Sequence, residues 1–584
     1  MSPPAMSPPR LETPAYPPLA TGYTRWAARV FSQLAPWKLA AALALLLYVP
    51  WLGERSLWYP DEPDVAEPAI TMLRTGDWIV PRHNDDPWLD YPPLTYWLGA
   101  ASSRLAGSWS PFALRLPVAL LAALLVAITA WATQRLAGRR AALWAGLSLA
   151  TAPHFAYQAV NYHPDMAFAL LITAGIIAYA WGAINRDARW SLLSRIAGFA
   201  GFGGAILAKG PLGLLLPGLI LVLWHASARQ WRALFSLAPL SLAALAVAMP
   251  WYLQLVRSLG WEEVWRELYL QNFARFGAAN RGHDQPWWYY LSRIGFDWAP
   301  WSLVLPASVA AARRRWREPA VRLALIWLFA SLIFFSCAAT KREVYLLPAF
   351  PAIAFLLGRY LADALEAQTM DARARPQLRW FLHAVGGVCV AAAAATVGIA
   401  ITSVVFGTPT VSPPLRLLGE LAIPLGVVCA ALSVGGVALL LLARRGVSTL
   451  SLALVVSGLW LVYAVALGSI LPSLDERKSY RDAAESLRTA AGSAPIGFYP
   501  HGIETKRAGF RVEDPAYLPL RLLAKPGEVA AHLSQASGVV ILHPERAHEI
   551  ARSVPDWEHL SQREVQLGSR RFLMLETARE GSLR

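Results

Sequence analysis

Long apolar segments recur along most of this chain, separated by shorter polar connections. A helix that crosses the hydrocarbon core of a bilayer, roughly 30 Å thick, needs about 17 to 25 mostly apolar residues. About thirteen segments reach or approach that length, and their centres lie near Leu45, Leu121, Leu147, Leu171, Gly203, Leu219, Leu245, Leu305, Leu328, Ala354, Ala393, Val428 and Val456. The pattern predicts an all-α polytopic membrane protein with about 13 transmembrane helices.

The arginines alternate with these segments. If the N-terminus lies inside, the even-numbered segments are followed by Arg135, Arg139 and Arg140, by Arg186, Arg189 and Arg195, by Arg229 and Arg232, by Arg313, Arg314, Arg315 and Arg317, by the arginines of 359–379, and by Arg444 and Arg445. Cytoplasmic loops carry an excess of Lys and Arg. The distribution predicts a cytoplasmic N-terminus and, because the number of segments is odd, a C-terminus on the outer side.

The amino-acid composition further narrows the class of protein. Of the 584 residues, 56% are hydrophobic and only 16% are charged, which excludes a disordered, fibrous or ordinary soluble chain. A net charge of +15 would indicate nucleic acid in a soluble protein, but arginines retained on cytoplasmic loops account for it here. The three cysteines lie in apolar runs, so we expect neither a disulfide framework nor a metal knot.

The longer polar segments divide the chain into three parts. A Pro-rich stretch at 1–38 predicts a flexible cytoplasmic N-terminus, and 39–473 forms the transmembrane part, with outer loops at about 54–110 and 251–300 that include interfacial helices. In 474–584 charged residues return. We predict strands at 496–499, 538–544 and 570–575 and helices at 480–491 and 528–535. This tail is expected to fold as a small periplasmic α/β domain.

The first candidate for catalysis is an acidic pair, Asp61 and Glu62, which follows the first apolar segment directly. A carboxylate held at the end of a span can act as general base towards a hydroxyl group. The alternative is that the pair caps a helix and favours its dipole. Asp90, later in the same loop, could reach the same cavity as Asp61. The alternative is that Asp90 is one more exposed acid of the loop.

Two further candidates flank the middle spans on the same outer side. Asp165 stands at the threshold of an apolar helix, where an ionisable residue is either functional or an N-cap. Lys209 lies in a tight turn, where a lysine either meets a lipid phosphate or reaches towards the headgroups.

The second long outer loop and the connection after the ninth span carry the remaining cations. Arg275 and Arg281, followed by Trp287 and Trp288, suit a sugar phosphate, because arginine binds phosphate and aromatic faces stack on sugar rings. A helix lying on the membrane surface would explain the same residues. Lys341 and Arg342 oppose the positive-inside trend, so something other than topology is expected to hold them there.

A divalent metal is left open as a cofactor. His283 and Asp284 are weak candidates for its ligands, since adjacency of two such residues is little evidence of a site. No other cofactor is predicted.

Five outer segments together resemble a known family. They are 61–98, the HPD of 163–165, the LAKGP of 207–211, the NFARF of 272–276 with HDQPWWYYL of 283–291, and the TKREVYLLP of 340–348. They resemble the bacterial aminoarabinose transferases and their protein O-mannosyltransferase-like relatives over roughly the first 360 residues. The resemblance implies a GT-C type glycosyltransferase that uses a polyprenyl-phosphate sugar at the periplasmic face of the bacterial inner membrane, with a lipid, glycan or protein acceptor.

The resemblance also implies roles for matched positions. Asp61 matches the catalytic aspartate, Asp165 a second acidic position and Asp90 the acid before a Pro-Pro pair, while Lys209 and Tyr345 match phosphate-side positions. Lys209, Lys341 or Arg342 would stabilise the departing phosphate, and Tyr91, Trp287 and Trp288 would line the cavity.

Two positions depart from the family pattern. Asp64 stands where the family has an arginine, and Tyr91 where it has a lysine. Both changes remove a cation, which weakens the expectation of aminoarabinose as donor and of a lipid A phosphate as acceptor. Arg275 and Arg281 are among the cations that would replace the lost charge.

Two functions from other classes compete with a transferase. A secondary transporter or flippase of lipid-linked substrates also has about a dozen spans, but it would place ionisable residues near the bilayer midplane. A membrane scaffold whose tail recruits partners would need the tail, but it would not need charged residues of the outer segments such as Asp61 and Lys209.

Overall fold

The computed structural model describes residues 34–58, 61–184, 188–274, 285–366, 374–405, 422–475, 479–492, 494–499, 520–534, 538–555, 557–567 and 570–577. Most of the predicted N-terminal lead-in lies outside these described residues.

Up to residue 475, the regular secondary structure of the described residues consists of helices and one short hairpin. Its helices are α1 Pro36–Tyr48, α2 Asp61–Thr75, α3 Leu94–Ala106, α4 Pro111–Ala150, α5 Pro153–Ala159, α6 Asp165–Ile184, α7 Ala188–Lys209, α8 Leu212–Ser227, α9 Trp231–Leu259, α10 Trp261–Leu268, α11 Tyr289–Asp297, α12 Leu305–Arg314, α13 Pro319–Cys337, α14 Phe350–Leu365, α15 Ala374–Val405, α16 Ala422–Arg445 and α17 Thr449–Val465. The strands β1 Arg82–His83 and β2 Asp86–Pro87 form an antiparallel hairpin in the first outer loop.

Nine of the described helical segments are long and apolar enough to cross a membrane. They correspond to α4, α6, α7, α9, α13, α14, α15, α16 and α17. Two shorter apolar segments, Pro36–Trp51 and Leu212–Ser227, belong to α1 and α8. The polytopic helical architecture predicted from the apolar pattern is therefore confirmed.

Three predicted spans take a form that the apolar pattern did not show. The spans centred on Leu121 and Leu147 both belong to α4, which is broken at Gly138 (φ 88°, ψ 173°), beside the predicted cytoplasmic arginines. No continuous helix covers the span centred on Leu305. There α11 is followed by a short 3₁₀ turn and by the ten-residue α12. Pro300 and Pro306 interrupt this segment because proline cannot donate the backbone hydrogen bond of a helix.

Small residues bring α6 and α7 into close contact. A Cβ added to Gly175 of α6 would lie 2.7 Å from the carbonyl oxygen of Gly198 on α7, and a Cβ on Gly198 would meet the carbonyl oxygen of Gly175 at the same distance. Small residues at such contacts let the backbones of membrane helices approach each other. The chain reverses between α6 and α7, so the start of α6 and the end of α7 lie at the same end of the pair.

The end of α4 is tied to three other parts of the bundle by buried polar groups. The hydroxyl of Tyr48 donates to the carbonyl of Ala150 at 2.6 Å. The carbonyl of Thr151 accepts from the hydroxyl of Tyr463 at 2.8 Å, and its side-chain oxygen accepts from the indole of Trp301 at 3.0 Å. These bonds join segments that are more than 100 residues apart in sequence.

The tail contains a five-stranded mixed sheet. Its elements are α18 Arg481–Ala491, β3 Ile496–Tyr499, β4 Leu520–Leu522, α19 Pro526–Leu533, β5 Val539–Leu542, α20 Ala547–Ala551, β6 Ser561–Leu567 and β7 Arg570–Glu576. The strand order is β4-β3-β5-β7-β6, with β3 parallel to β4 and β5 and with β7 antiparallel to β5 and β6.

The two faces of this sheet carry separate apolar cores, one shared with α18 and the other with α19 and α20. The three predicted strands and two predicted helices are confirmed. The edge strands β4 and β6 were missed, since β6 consists mostly of polar residues. The boundary of the tail as an independent domain stays a prediction.

Candidate active site

Four segments distant in sequence meet at one end of the bundle: the start of α2, the start of α6, the end of α7, and the residues before the 3₁₀ segment Glu343–Ala349. Local sequence fixes two of them. Pro164 precedes α6, and Gly210, with φ 72°, ends α7 directly after Lys209. A left-handed glycine just past a helix is a common C-terminal stop. Two cavities lie at this meeting point.

The smaller cavity, of ≈ 140 Å³, contains Asp61. Both oxygens of the Asp61 carboxylate accept from Arg342, at 2.9 and 3.0 Å, and the Asp61 side chain is 50% exposed. Burial alone would lower the pKa of Arg342, but pairing with Asp61 raises it above its ordinary value. Tyr157, His163 and Glu343 are also in the wall. The carboxylate is therefore open to a ligand and has a single cationic partner, Arg342, among the residues that the structure describes.

Glu62, the neighbour of Asp61, is placed very differently. It is buried between Arg55 and Arg115, and each guanidinium makes a contact of 2.7 Å with its carboxylate. The backbone N–H groups of Trp58 and Tyr162 donate to it as well, both at 2.9 Å. Burial opposes ionisation, but Arg115 and Arg55 outweigh it and hold the pKa of Glu62 well below its ordinary value.

This network gives Glu62 a structural role. With both oxygens occupied, Glu62 anchors the first turn of α2 and so aims Asp61 outwards. The predicted catalytic role of Glu62 is not supported by this placement. Arg115 was missed because it lies inside an apolar helix, where one cation does not change the pattern.

A second missed residue holds the segment that leads to Asp61. Asp475, just after the last span, accepts from the backbone N–H and hydroxyl of Ser56, at 3.0 and 2.7 Å, and from the indole of Trp58 at 2.8 Å. The contact joins residues 419 positions apart, and nothing in the local sequence indicates it.

Asp165 and Lys209 form a buried ion pair between the ends of α6 and α7. The other carboxylate oxygen of Asp165 contacts His163. The side chains of Asp165 and Lys209 are 1% and 11% exposed. The ammonium of Lys209 also lies 4.7 Å from the ring centre of Tyr345, a cation–π contact. The pair therefore fixes Lys209 at the edge of the larger cavity.

The larger cavity has a volume of ≈ 380 Å³. Four predicted site residues, Asp90, Tyr91, Lys209 and Tyr345, line its polar end. The rest of the wall is mostly apolar and comes from Leu212, Leu215, Trp251, Leu255, Val264, Leu268, Phe334 and Phe335. The ring of Tyr91 meets the edge of His163, a residue of the smaller cavity, at 5.6 Å between centres. The walls of the two cavities therefore meet at Tyr91 and His163.

Asp64, one of the two departures from the family pattern, faces the β1–β2 hairpin. The Nε2 atom of His83 lies 3.2 Å from the Asp64 carboxylate and 3.6 Å from that of Glu67. The ring of Trp88 stacks on His83 with centres 4.6 Å apart. Burial raises the pKa of Asp64, although His83 opposes the shift. Asp64 therefore serves the folding of the first loop and does not line either cavity.

Several other predicted site residues are placed away from the two cavities. Lys341 is buried, and its ammonium donates to the carbonyls of Gln285 and Ala338 at 2.9 and 2.6 Å. These hydrogen bonds hold its charge against the backbone. Trp287 and Trp288 are 71% and 51% exposed and line neither cavity. The predictions for Arg275, Arg281, His283 and Asp284 fall outside the described residues. Within the described ranges, no cluster of three or more His, Cys, Asp or Glu side chains is arranged to hold a metal ion.

The fold and the two cavities define the class. The chain is a multi-pass inner membrane protein with the GT-C fold, and it carries a charged site at one end of its helical bundle. The structure matches the crystal structure of ArnT from Cupriavidus metallidurans bound to undecaprenyl phosphate, with a TM-score of 0.74 and 23% identity, over 94% of this chain and 98% of that one.

Sequence comparison confirms the resemblance to the aminoarabinose transferases and their protein O-mannosyltransferase-like relatives. Residues 90–253 match the family "Dolichyl-phosphate-mannose-protein mannosyltransferase". The undecaprenyl phosphate-alpha-4-amino-4-deoxy-L-arabinose arabinosyl transferase of Edwardsiella ictaluri is 31% identical over 337 residues, which is 56% of this chain and 60% of that protein. The transferase of the same name from Pseudomonas paraeruginosa is 30% identical over 341 residues. The matched region thus spans about 60% of the length of these relatives.

Proposed function

We propose that this protein is an inner-membrane glycosyltransferase that transfers a sugar from a polyprenyl-phosphate donor to an acceptor hydroxyl at the periplasmic face. The observation that carries the proposal is the pair of adjoining cavities, one with an apolar wall that ends at Lys209 and the other holding the accessible carboxylate of Asp61. The N-terminus would be cytoplasmic, and the tail from 474 a periplasmic domain.

The larger cavity suits the lipid-linked donor. Its apolar wall would take the first isoprene units of the lipid, since apolar surface there is removed from water. The phosphate would then lie near Lys209, with Tyr345 and Tyr91 beside it. Lys209 already shares its charge with Asp165, so the phosphate would meet a cation whose position is fixed in advance.

The smaller cavity suits the acceptor. The Asp61 carboxylate would exchange part of its contact with Arg342 for a hydrogen bond to the acceptor hydroxyl. Arg342 would then be free to turn one N–H towards the phosphate between the cavities. Because Tyr91 of the larger cavity contacts His163 of the smaller one, an acceptor oxygen and a sugar carbon would be brought together where the two cavities adjoin.

The proposed reaction is a single displacement. The acceptor oxygen attacks the anomeric carbon, the bond from that carbon to the phosphate oxygen breaks, and its electron pair leaves with the lipid phosphate. The hydroxyl proton passes to Asp61. Attack from the side opposite the phosphate inverts the anomeric configuration. Lys209 and Arg342 would stabilise the charge on the departing phosphate.

The experiment follows the free lipid phosphate. Purified protein is incubated with undecaprenyl-phosphate sugars, starting with 4-amino-4-deoxy-L-arabinose because the relatives are named for it, together with lipid A as the first acceptor. We expect release of undecaprenyl phosphate, and a loss of about 10²-fold or more in the Asp61→Asn variant.

The matched control is Asp86→Asn, an exposed acid of the same outer loop that lines neither cavity. Release that is equally fast in Asp61→Asn and Asp86→Asn would remove Asp61 from the mechanism. A lipid-linked sugar that moves across a proteoliposome membrane without being cleaved would favour the transporter instead.

A further inference from the structure

A third cavity lies at the far ends of α6, α7, α8 and α9. Its volume is ≈ 640 Å³, and the residues that line it include Tyr179, Arg195, His225, Arg229, Gln230 and Arg232. Arg195 and Lys209 are 14 positions apart on α7, which corresponds to roughly 21 Å at about 1.5 Å per residue. This basic cavity therefore lies near the opposite face of the membrane from the candidate active site.

The floor of the basic cavity is a neutral hydrogen-bonded chain. The side-chain carbonyl of Gln230 accepts from Nδ1 of His225 at 2.8 Å, which leaves Nε2 of the same ring to accept from the hydroxyl of Tyr179, also at 2.8 Å. With one proton on the ring, both ring nitrogens of His225 have a partner. His225 is buried, so the chain fixes the floor without adding charge.

The charge of the basic cavity comes from three arginines on three different segments. Arg195 is held by Ser191, whose hydroxyl accepts from it at 3.1 Å. Arg229 adopts a left-handed conformation, with φ 56°, in the turn between α8 and α9, and Arg232 lies in the first turn of α9. No acidic side chain lines this cavity among the residues that the structure describes. Guanidinium groups in such an arrangement match the oxygens of a phosphate.

The positive-inside trend explains arginines on this face but not their convergence. Arg313 and Arg314, on the same predicted face, end α12 and do not line the basic cavity. Trp231, which also lines the cavity, and Phe235, one turn further along α9, are 60% and 82% exposed, as expected for side chains at headgroup depth. A concave cluster of guanidinium groups at that depth faces the phosphates of the lipid leaflet.

We propose that the basic cavity binds one phosphate group, presented by an anionic lipid headgroup or free in solution. The guanidinium groups of Arg229 and Arg232 would hold the phosphate from the rim and Arg195 would hold it from below. The site is separate from the proposed transfer reaction and does not depend on it.

The test uses the purified full chain in detergent and three ligands: phosphatidylglycerol, phosphatidylcholine and inorganic phosphate. Bound lipid is counted by native mass spectrometry, and phosphate binding is followed by thermal shift. We expect phosphatidylglycerol to bind more tightly than phosphatidylcholine, and the Arg229→Gln/Arg232→Gln variant to bind it at least about tenfold more weakly. If inorganic phosphate also binds and competes with phosphatidylglycerol, the cavity recognises the phosphate group alone. If only the lipid binds, the cavity recognises the phosphate as part of the lipid headgroup.

The control variant is Arg313→Gln/Arg314→Gln, which removes the same charge from the same face. Both variants change exposed or loop-end arginines, and the thermal midpoint without ligand verifies that each folds. Equal binding in the two variants, whether both retain the lipid or both lose it, would overturn the proposal, because general charge and not the cavity would then decide the outcome.

Discussion

Asp165 and Asp61 are both acidic residues at the first position of a helix, on the same side of the bundle, yet their surroundings differ. Asp165 is 1% exposed and has a partner on each oxygen, Lys209 and His163. Asp61 is 50% exposed, and Arg342 is its cationic partner. A buried carboxylate with both oxygens occupied positions its partners, whereas an accessible carboxylate can exchange its partner for a substrate.

The same sequence signal thus conceals two physical roles. An acid at the threshold of a helix is consistent with an N-cap, a general base or half of a buried ion pair. The difference depends on which cation the fold brings to it and on how much water remains. Changing each carboxylate in turn should separate these roles.

The largest expected effect is on stability, in Asp165→Asn. The change leaves the ammonium of Lys209, 11% exposed, without its anionic partner, which should cost about 3 to 5 kcal/mol of stability. Thermal unfolding in detergent should therefore shift by several degrees. Asp61→Asn, the matched variant at an exposed pair, should cost less than about 1 kcal/mol. Equal losses of stability in the two variants would contradict the distinction drawn between them.

A smaller effect is expected from Leu215→Trp, which adds bulk to the apolar wall of the larger cavity. If that wall holds the donor lipid, the KM for a long-chain donor should rise about tenfold, the equivalent of about 1.4 kcal/mol. Little change is expected in kcat. Leu223→Trp, on the same helix α8 but outside this cavity, serves as control and should leave both constants unchanged. A KM that stays constant in both variants would place the lipid elsewhere.

The smallest effect concerns pH and Asp64. Because the folded protein raises the pKa of Asp64, the folded state retains a proton that the unfolded chain has already lost. The contribution of Asp64 to stability is therefore present at low pH and is lost as the pH rises from about 4, its ordinary pKa, through the raised value. Thermal midpoints of the wild type and of Asp64→Asn should be compared from acidic to neutral pH. The wild type should lose stability relative to the variant as the pH rises, and the opposite trend would contradict the assignment.

Much of the fold could be predicted because the length of an apolar segment is a local signal. The prolines and glycines that end helices, such as Pro164 and Gly210, are local as well. The broken helix near Leu305 was not predicted, since hydropathy averaged over a window does not register two prolines six positions apart.

The partners of the site residues could not be predicted, because they are distant in sequence. Arg342 was singled out as a cation on the unexpected side, but Asp61, its partner, lies 281 positions away. Arg115 gave no signal, since one cation in an apolar helix has the same pattern whether it faces lipid or a buried carboxylate. The geometry of Asp64 with His83 depends on a hairpin of two-residue strands, which is too short to leave a period in the sequence.

The contact of Asp475 with Ser56 and Trp58 has a consequence for biogenesis. At 5 to 20 residues per second, synthesis of the 419 residues between Ser56 and Asp475 takes roughly 20 to 80 s. During that time the segment that carries Asp61 has been synthesised, but Asp475, which holds it, has not. The segment that carries Asp61 can therefore adopt its final position only after the last transmembrane helix has been translated and inserted.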